Sequence, residues 1–306
     1  MEQTILLNKN LKALLEEIVV LNKMQKSFIQ SSLEALTPEE IENLNIYIDF
    51  LVTKESLEIS YIAKCYDLIV KDTLREQIYF LRHKHYRYST YEEVAGSVYL
   101  NDDYMTKYMY GLAITSFLWP QHCQMKRWFS DRIPKNRKGK YLEIGPGHGY
   151  YFMDAQKKTS FENFIGVDIS PTSIRLTKSI LESGFFGKFS NYELKLIDFL
   201  AVDLNEKYDA VVMGEVLEHV ESPVAFIKKI NKSSKQDAFI YVTTVINAPA
   251  IDHIALFTNV EDLDKCVNDG GLKLKEYFLT ASNNKLSVEE NLKKLLPVNI
   301  AMVLEH

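Results

Sequence analysis

The sequence predicts an α/β fold: a mostly parallel sheet with helices on both faces, preceded by an all-helical N-terminal domain. Three observations carry this. The first 134 residues are dominated by apolar residues at helical spacing. From about residue 138 onward, short apolar runs alternate with amphipathic stretches. The first of those runs, Tyr141 to Ile144, opens directly into Gly145-Pro-Gly147-His-Gly149. Strand, glycine turn and helix start make a nucleotide-binding βα unit, in which the backbone turns tightly and admits a close ligand.

The chain has 306 residues, enough for one large or two ordinary domains. Apolar residues at 46% and charged residues at 25% are ordinary for a folded globular protein. A net charge of −5 argues against a broad nucleic-acid surface. Cys65, Cys123 and Cys266 are far apart and lack metal spacing, so they read as buried thiols in a reducing compartment. No apolar run is long enough to span a membrane and no signal-peptide pattern opens the chain; a cytoplasmic location without membrane attachment is expected. Leu304-Glu-His306 reads as a tag remnant after residue 303.

Residues 4–36 have a helical pattern, with Leu6, Leu7, Leu11, Leu14, Leu15, Ile18 and Val19 recurring at three- and four-residue steps. Thr37-Pro-Glu-Glu40 is a helix start with a capping box. A third helix is expected over 56–83. This domain reads either as a dimerisation module or as a cover that selects the acceptor. Phe80 to Tyr88 is basic and aromatic, which suits nucleic acid or a phosphorylated substrate, but reads first as a solvated helix end whose cations complement the helix dipole. Its His83 and His85, two residues apart, do not share a helix face, so a metal site there is not expected. Asn101 caps a helix to about 117, Pro120 breaks it, and 121–133 forms another. The polar stretch 134–140 is the domain boundary, giving 1–134 and 135–303.

In the second half, strands are expected near 140–144, 163–168, 192–198, 208–213 and 238–244, with helices near 149–158, 171–184, 221–232 and 260–269. Two further strands follow, 272–281 and 299–303. Acids stand at the strand ends: Glu143, Asp168 and Asp198. An acid roughly 20 residues past a glycine loop accepts hydrogen bonds from a ribose diol in dinucleotide-binding folds. Glu215, Glu218 and His219 follow the fourth strand. On the first turn of a helix they would share one face, and His253 follows the fifth strand.

Four motifs in this order resemble those of class I S-adenosylmethionine-dependent methyltransferases. They are Leu142-Glu-Ile-Gly-Pro-Gly-His-Gly149, Val167-Asp-Ile-Ser170, Ile197-Asp-Phe199 and the run from Asp209 to Pro223. The resemblance covers about 138 to the C-terminus and implies a Rossmann-like seven-stranded sheet whose last two strands close one edge as an antiparallel pair. It implies S-adenosylmethionine as cofactor. Gly145, Gly147 and Gly149 would form the loop beside its methionine and ribose, and Glu143 would orient that loop or hold the ammonium through water. Asp168 would take the ribose hydroxyls, with Ile169 on the adenine; Asp198 would receive the adenine amino group, with Phe199 beside the ring. The Gly214–Glu215 backbone would lie below the sulfonium. The segment before the first strand commonly crosses the cofactor site, so Tyr104, Tyr108 and Trp119 would line the acceptor pocket or serve as aromatic packing.

The set Glu215, Glu218, His219 and His253 is similar to that of ubiquinone-biosynthesis O-methyltransferases and small-RNA 2′-O-methyltransferases. It implies a divalent metal at those four residues, of a kind such as Mn²⁺, Fe²⁺, Co²⁺ or Zn²⁺ rather than Mg²⁺. Catalysis by His219, His253 or Glu215 without metal, and a structural role, stay open beside it. The expected activity is methyl transfer to a small-molecule acceptor, most naturally on oxygen, in specialised metabolism or glycan modification. Nitrogen and carbon acceptors, a dinucleotide-dependent oxidoreductase, and a catalytically silent scaffold are the alternatives. A homodimer through the N-terminal helices is a further expectation.

Overall fold

A computed structural model describes residues 7–95 and 101–306. The expected helix start at Thr4 and the stretch around Tyr99 fall outside them. The first periodic stretch is two helices rather than one, α1 (Lys9–Leu21) and α2 (Gln25–Ala35). The break falls at Asn22, whose backbone is extended and whose side chain accepts the Met24 N–H at 3.2 Å. A short amide side chain competes there with the helix for backbone partners. α3 (Pro38–Thr53) has the expected capping box, with Thr37 and Glu40 satisfying each other's backbone N–H.

The long α4 (Ile59–His83) ends on Lys84 in the left-handed conformation. In the basic stretch beyond it, Arg87 turns back to the buried carboxylate of Glu76, 2.9 Å away. A short α5 (Tyr91–Ala95) follows, then α6 (Asp102–Leu118), capped by Asn101, and α7 (Pro120–Arg132). Pro120 does not merely break the pattern. It sits at the first position of α7, where its missing N–H costs nothing.

The second half alternates as expected: β1 (Lys140–Ile144), α8 (Tyr150–Lys158), β2 (Asn163–Asp168), α9 (Pro171–Glu182), β3 (Tyr192–Leu196), β4 (Tyr208–Gly214), α10 (Pro223–Ser233), β5 (Ser234–Ile246), α11 (Val260–Asp269), β6 (Lys273–Ala281), α12 (Val288–Lys293) and β7 (Val298–Glu305). β3 stops two residues early because the Ile197 N–H closes on the Asp168 carbonyl and Asp198 turns back on Leu200.

The seven strands lie in the order β3-β2-β1-β4-β5-β7-β6. β7 runs antiparallel to both neighbours and all other pairings are parallel. Between β1 and β4 the strand order reverses, which opens a crevice at the carboxyl ends of these strands.

Two cores cover the sheet. On one face the N-terminal helices, α7, α8 and α9 share a continuous core running from Leu11 and Leu14 through Phe117 and Phe129 to Tyr141 and Tyr241. On the other face α10 and α11 pack over Leu142, Val211, Ile240 and Met302. The first core does not divide at Pro134. Among the described residues no helix is long and apolar enough to cross a membrane.

Of the residues read as a tag remnant, Leu304 and Glu305 lie in β7 and His306 follows it. Leu304 pairs with Ile240 and Leu274 and is 1% exposed. Removing a fully buried leucine leaves a cavity as well as losing transfer energy. Leu304→Ala is therefore expected to destabilise the protein by about 2–5 kcal/mol in denaturant unfolding, whereas a true tag residue would tolerate it.

Candidate active site

The glycine loop after β1 is held in left-handed backbone at Gly145 (φ +67°) and Gly147 (φ +56°). A Cβ on Gly145 would stand 2.7 Å from Val216 Cγ2, so both conformation and space demand glycine. The Gly145 N–H donates to the Val167 carbonyl at 2.8 Å, and the Gly147 N–H to the Asp168 carboxylate. The loop is thus tied to the end of β2. Met109 of α6 lies over Gly147 from the helical side.

Glu143 is buried. Its carboxylate accepts the Tyr141 hydroxyl and the backbone N–H of Phe152 in the first turn of α8. It binds β1 to α8 and so orients the loop between them. Burial raises its pKa to about 8, against the lowering effect of those two hydrogen bonds.

Asp168, at the end of β2, accepts the Ser170 N–H at 2.8 Å and those of Gly147 and Ile169. Burial nevertheless lifts it to about 6. Ile169 beside it is 60% exposed at the rim of the crevice. Asp198 is exposed and accepts the Leu200 N–H at 2.8 Å. Phe199 is turned elsewhere: its ring is buried in the opposite core, 5.8 Å from Phe226, and does not open onto the crevice.

After β4 the structure departs from the expected helical turn. Glu215 is left-handed (φ +53°), and its N–H is bound to Thr243 of β5, to the carbonyl and to Oγ1, each at 3.1 Å. A short 3-10 helix, Leu217–His219, follows, and α10 begins only at Pro223. The ties to β5 hold Glu215 out of helical geometry, so the expected shared face of Glu215, Glu218 and His219 does not form.

Glu218, His219 and His253 do converge: their ligating atoms all lie within 4.8 Å of one another. Glu215 is not in that cluster. Its carboxyl lies against Glu218 from the other side, with Asn299 at 3.5 Å, and burial together with Glu218 pushes it well above the usual carboxyl range. Glu218 Oε2 accepts the Thr244 hydroxyl at 2.7 Å, and the same side chain shares a hydrogen bond with the Glu215 carboxyl. The Glu218 carbonyl accepts the N–H groups of Ile254 and Ala255, which draws the loop after β5 over the 3-10 helix.

The two imidazoles meet edge to face at 4.7 Å. His253 Nδ1 lies 2.6 Å from the Ala248 carbonyl. His219 Nδ1 lies 3.1 Å from the Asp252 carbonyl and 3.3 Å from Asp252 Oδ2. A carbonyl at Nδ1 fixes the proton there and puts the lone pair on Nε2 in both rings. Burial depresses His253, and the neighbouring His219 depresses it further. Burial would also lower His219, but Asp252 and Glu218 outweigh it and raise the imidazole above its ordinary value.

Tyr108 reaches this cluster, donating to Asp252 Oδ1 at 3.0 Å. Tyr104 stacks on it at 5.9 Å and donates to Asp72 of α4. Trp119 does not line the crevice. It lies inside the helical layer, edge-on to Phe28 and donating to the Tyr66 hydroxyl at 3.1 Å. Asp252, Thr244 and Asp72 were not singled out from the sequence. For Asp252 the signal was its place directly before His253; the other two carry none.

The sheet order, the glycine loop and the acids at the strand ends together define a class I methyltransferase fold. A family model described as a methyltransferase domain matches residues 121–281, just over half the chain, and the protein belongs to that family. Membership implies S-adenosylmethionine as the cofactor.

The chain is 27% identical over 109 residues to the ubiquinone biosynthesis O-methyltransferase of Nitrosospira multiformis, covering 35% of this chain and 44% of that one. It is 39% identical over 75 residues to the EEF1A lysine methyltransferase 2 of Mus musculus, covering 24% and 28%. The chain spans about half or less of the curated relatives it matches. A chain of the solved complex between the Haloferax volcanii Trm112 methyltransferase activator and a methyltransferase superposes with a TM-score of 0.51 at 14% identity, covering 67% of this chain and 98% of that one. That likeness is one of fold.

Two outcomes follow from the acids. If Asp168 binds the ribose diol, it does so as the carboxylate. Affinity for S-adenosylhomocysteine should then weaken in calorimetry as pH falls through about 6, and Asp168→Ala should cost about 10–100-fold at pH 7.5. Glu143 keeps its proton in the folded state up to about pH 8 but loses it near 4.5 when unfolded. Its contribution to stability therefore falls as pH rises from about 4.5 to 8 and is level beyond. Glu143→Gln lacks this loss, so its melting temperature should gain on that of the wild type across the same window.

Proposed function

We propose that this protein transfers a methyl group from S-adenosylmethionine to a hydroxyl of a small-molecule acceptor, with the Glu218–His219–His253 cluster handling the hydroxyl proton. The observation that carries this reading is the convergence of two imidazoles and a carboxylate beside the Gly214–Glu215 turn. The methyl carbon leaves sulfur as it bonds to oxygen, in line, and neutral S-adenosylhomocysteine departs. The enzyme has to hold oxygen and methyl in near-attack geometry. The hydroxyl proton passes to His219 Nε2, and Asp252 behind Nδ1 stabilises the imidazolium.

Asp168 would hold the ribose, and Ile169 would offer the adenine an apolar face. The helices before Pro134 would cover the acceptor. Their contacts support this: Tyr108 reaches Asp252, and the Tyr91 N–H donates to Glu221 beside the 3-10 helix at 2.8 Å.

A second reading is favoured by one observation. The convergence of one carboxylate and two imidazoles, Glu218, His219 and His253, suits a divalent metal of the Mn²⁺, Fe²⁺ or Zn²⁺ kind. Glu218, His219 and His253 would hold it, with Asp252 and the Ala248 carbonyl orienting the rings from behind. Such an ion, when bound, makes a coordinated hydroxyl more acidic.

The test joins elemental analysis of the purified protein with transfer of labelled methyl to phenols, catechols, carboxylates, amines and lysine peptides. Transfer to a hydroxyl that falls about 10²–10⁴-fold in His219→Ala, with S-adenosylhomocysteine affinity retained, is the expected result. Stoichiometric metal lost in that variant would install the second reading. Labelling of amines or lysine alone would sink the oxygen assignment.

A further inference from the structure

The long helix α4 is polarised across its axis. Its acids, Asp67, Asp72 and Glu76, are all buried. Two of them are spent on the layer beneath: Asp72 accepts the Tyr104 hydroxyl of α6, and Glu76 holds Arg87 at 2.9 Å. Tyr86, beside that arginine, brings its ring to 5.9 Å from His253. The outward face of α4 carries no acid. Lys64, Lys71, Arg75 and Arg82 stand exposed on it at steps of seven, four and seven, which sets them in one row along the helix. Lys71 and Arg75 reach round to the buried acids, Asp67 at 2.6 Å and Asp72 at 3.1 Å. Lys64 and Arg82 make no ion pair among the described residues. Beside the cations runs an apolar row, Leu74, Ile78 and Leu81, which are 51%, 44% and 38% exposed.

Apolar residues at steps of four and three make the seam by which one helix receives another, and the charges flanking a seam choose the partner. We propose that the outward face of α4 docks a helix of a second protein, one whose own apolar seam is flanked by aspartate or glutamate. Charge selects this occupant. A second copy of this chain has no acid to offer from α4, because every acid of that helix is buried, and two such faces would set arginine against arginine. An anionic lipid surface is the poorer match: the apolar row is one side chain wide, and the chain as a whole carries −5. Covering the three half-exposed aliphatic side chains supplies affinity, and the cation row supplies orientation and choice of partner. The docked helix would lie behind the layer proposed to cover the acceptor, on the same α4 that holds Tyr104 and Arg87 from within. The docking face stands whatever group the site methylates.

The probe is a synthetic helical peptide of about three heptads with leucine at the seam positions and glutamate on both flanks; its counterpart carries lysine on the flanks. Calorimetric titration into the whole chain should show binding of the glutamate peptide alone, weakened by added salt. Leu74→Glu combined with Ile78→Glu should weaken it at least about tenfold. Lys64→Glu combined with Arg82→Glu should turn the preference round, towards the lysine peptide. Both variants should keep the affinity for S-adenosylhomocysteine, and the charge variant decides the matter should the apolar one fail to fold. No binding of either peptide, equal affinity for both, or glutamate-peptide binding that survives the apolar variant would overturn the proposal. A dimer in sedimentation equilibrium that Ile78→Glu dissolves would overturn it in favour of a second copy. Cosedimentation with vesicles of phosphatidylcholine and phosphatidylglycerol at about 3:1, lost in the charge variant, would overturn it in favour of a lipid surface.

Discussion

The reversal of strand order between β1 and β4 is the constraint on which the rest of the molecule depends. The chain leaves β1 towards β2 and leaves β4 towards β5, so the two carboxyl ends part and a crevice opens between them. Each side of that crevice begins with a left-handed residue, Gly145 on one and Glu215 on the other. Gly145 needs no explanation beyond its lack of a Cβ. Glu215 bears a side chain in a conformation that disfavours one, and two hydrogen bonds from its N–H to Thr243 hold it there. The glycine side leads to Asp168, and the Glu215 side to the histidine cluster.

The helical layer is seated on this crevice by polar as well as apolar contacts. Met109 lies on the glycine loop. Glu55, just after α3, accepts the hydroxyls of Ser179 on α9 and Tyr110 on α6. Tyr108 reaches Asp252. Burying such groups is costly unless each finds its partner, so these pairs specify one seating among the many that an apolar contact alone would allow.

Much of this was legible in the sequence, for physical reasons. Buried parallel strands read as short apolar runs, and glycine, proline and capping residues mark where they end. Every strand of the sheet was therefore placed to within a few residues, and the acids at their ends with them. What escaped notice depends on contacts distant in sequence. Nothing near Glu215 announces that Thr243 will hold it out of a helix. Phe199 follows an acid at a strand end, yet which way its ring turns is decided by α10. Asn22 interrupts an apolar period that looks continuous, because one side-chain hydrogen bond outweighs the pattern. Leu304 resembles vector sequence and is core, since only its pairing with β5 and β6 shows where it lies.

The antiparallel β7 lies between β5 and β6, although it follows both in sequence. Until it is inserted, β6 has no neighbour in the sheet and β5 presents a bare edge. The order of synthesis therefore runs against the order in space. The crevice-forming strands can pair as they emerge, but the edge of the sheet closes only when the last strand slots into a gap that its two neighbours have kept open. An exposed strand edge is a template for wrong pairing. Until β7 arrives, the edge of β5 is such a template.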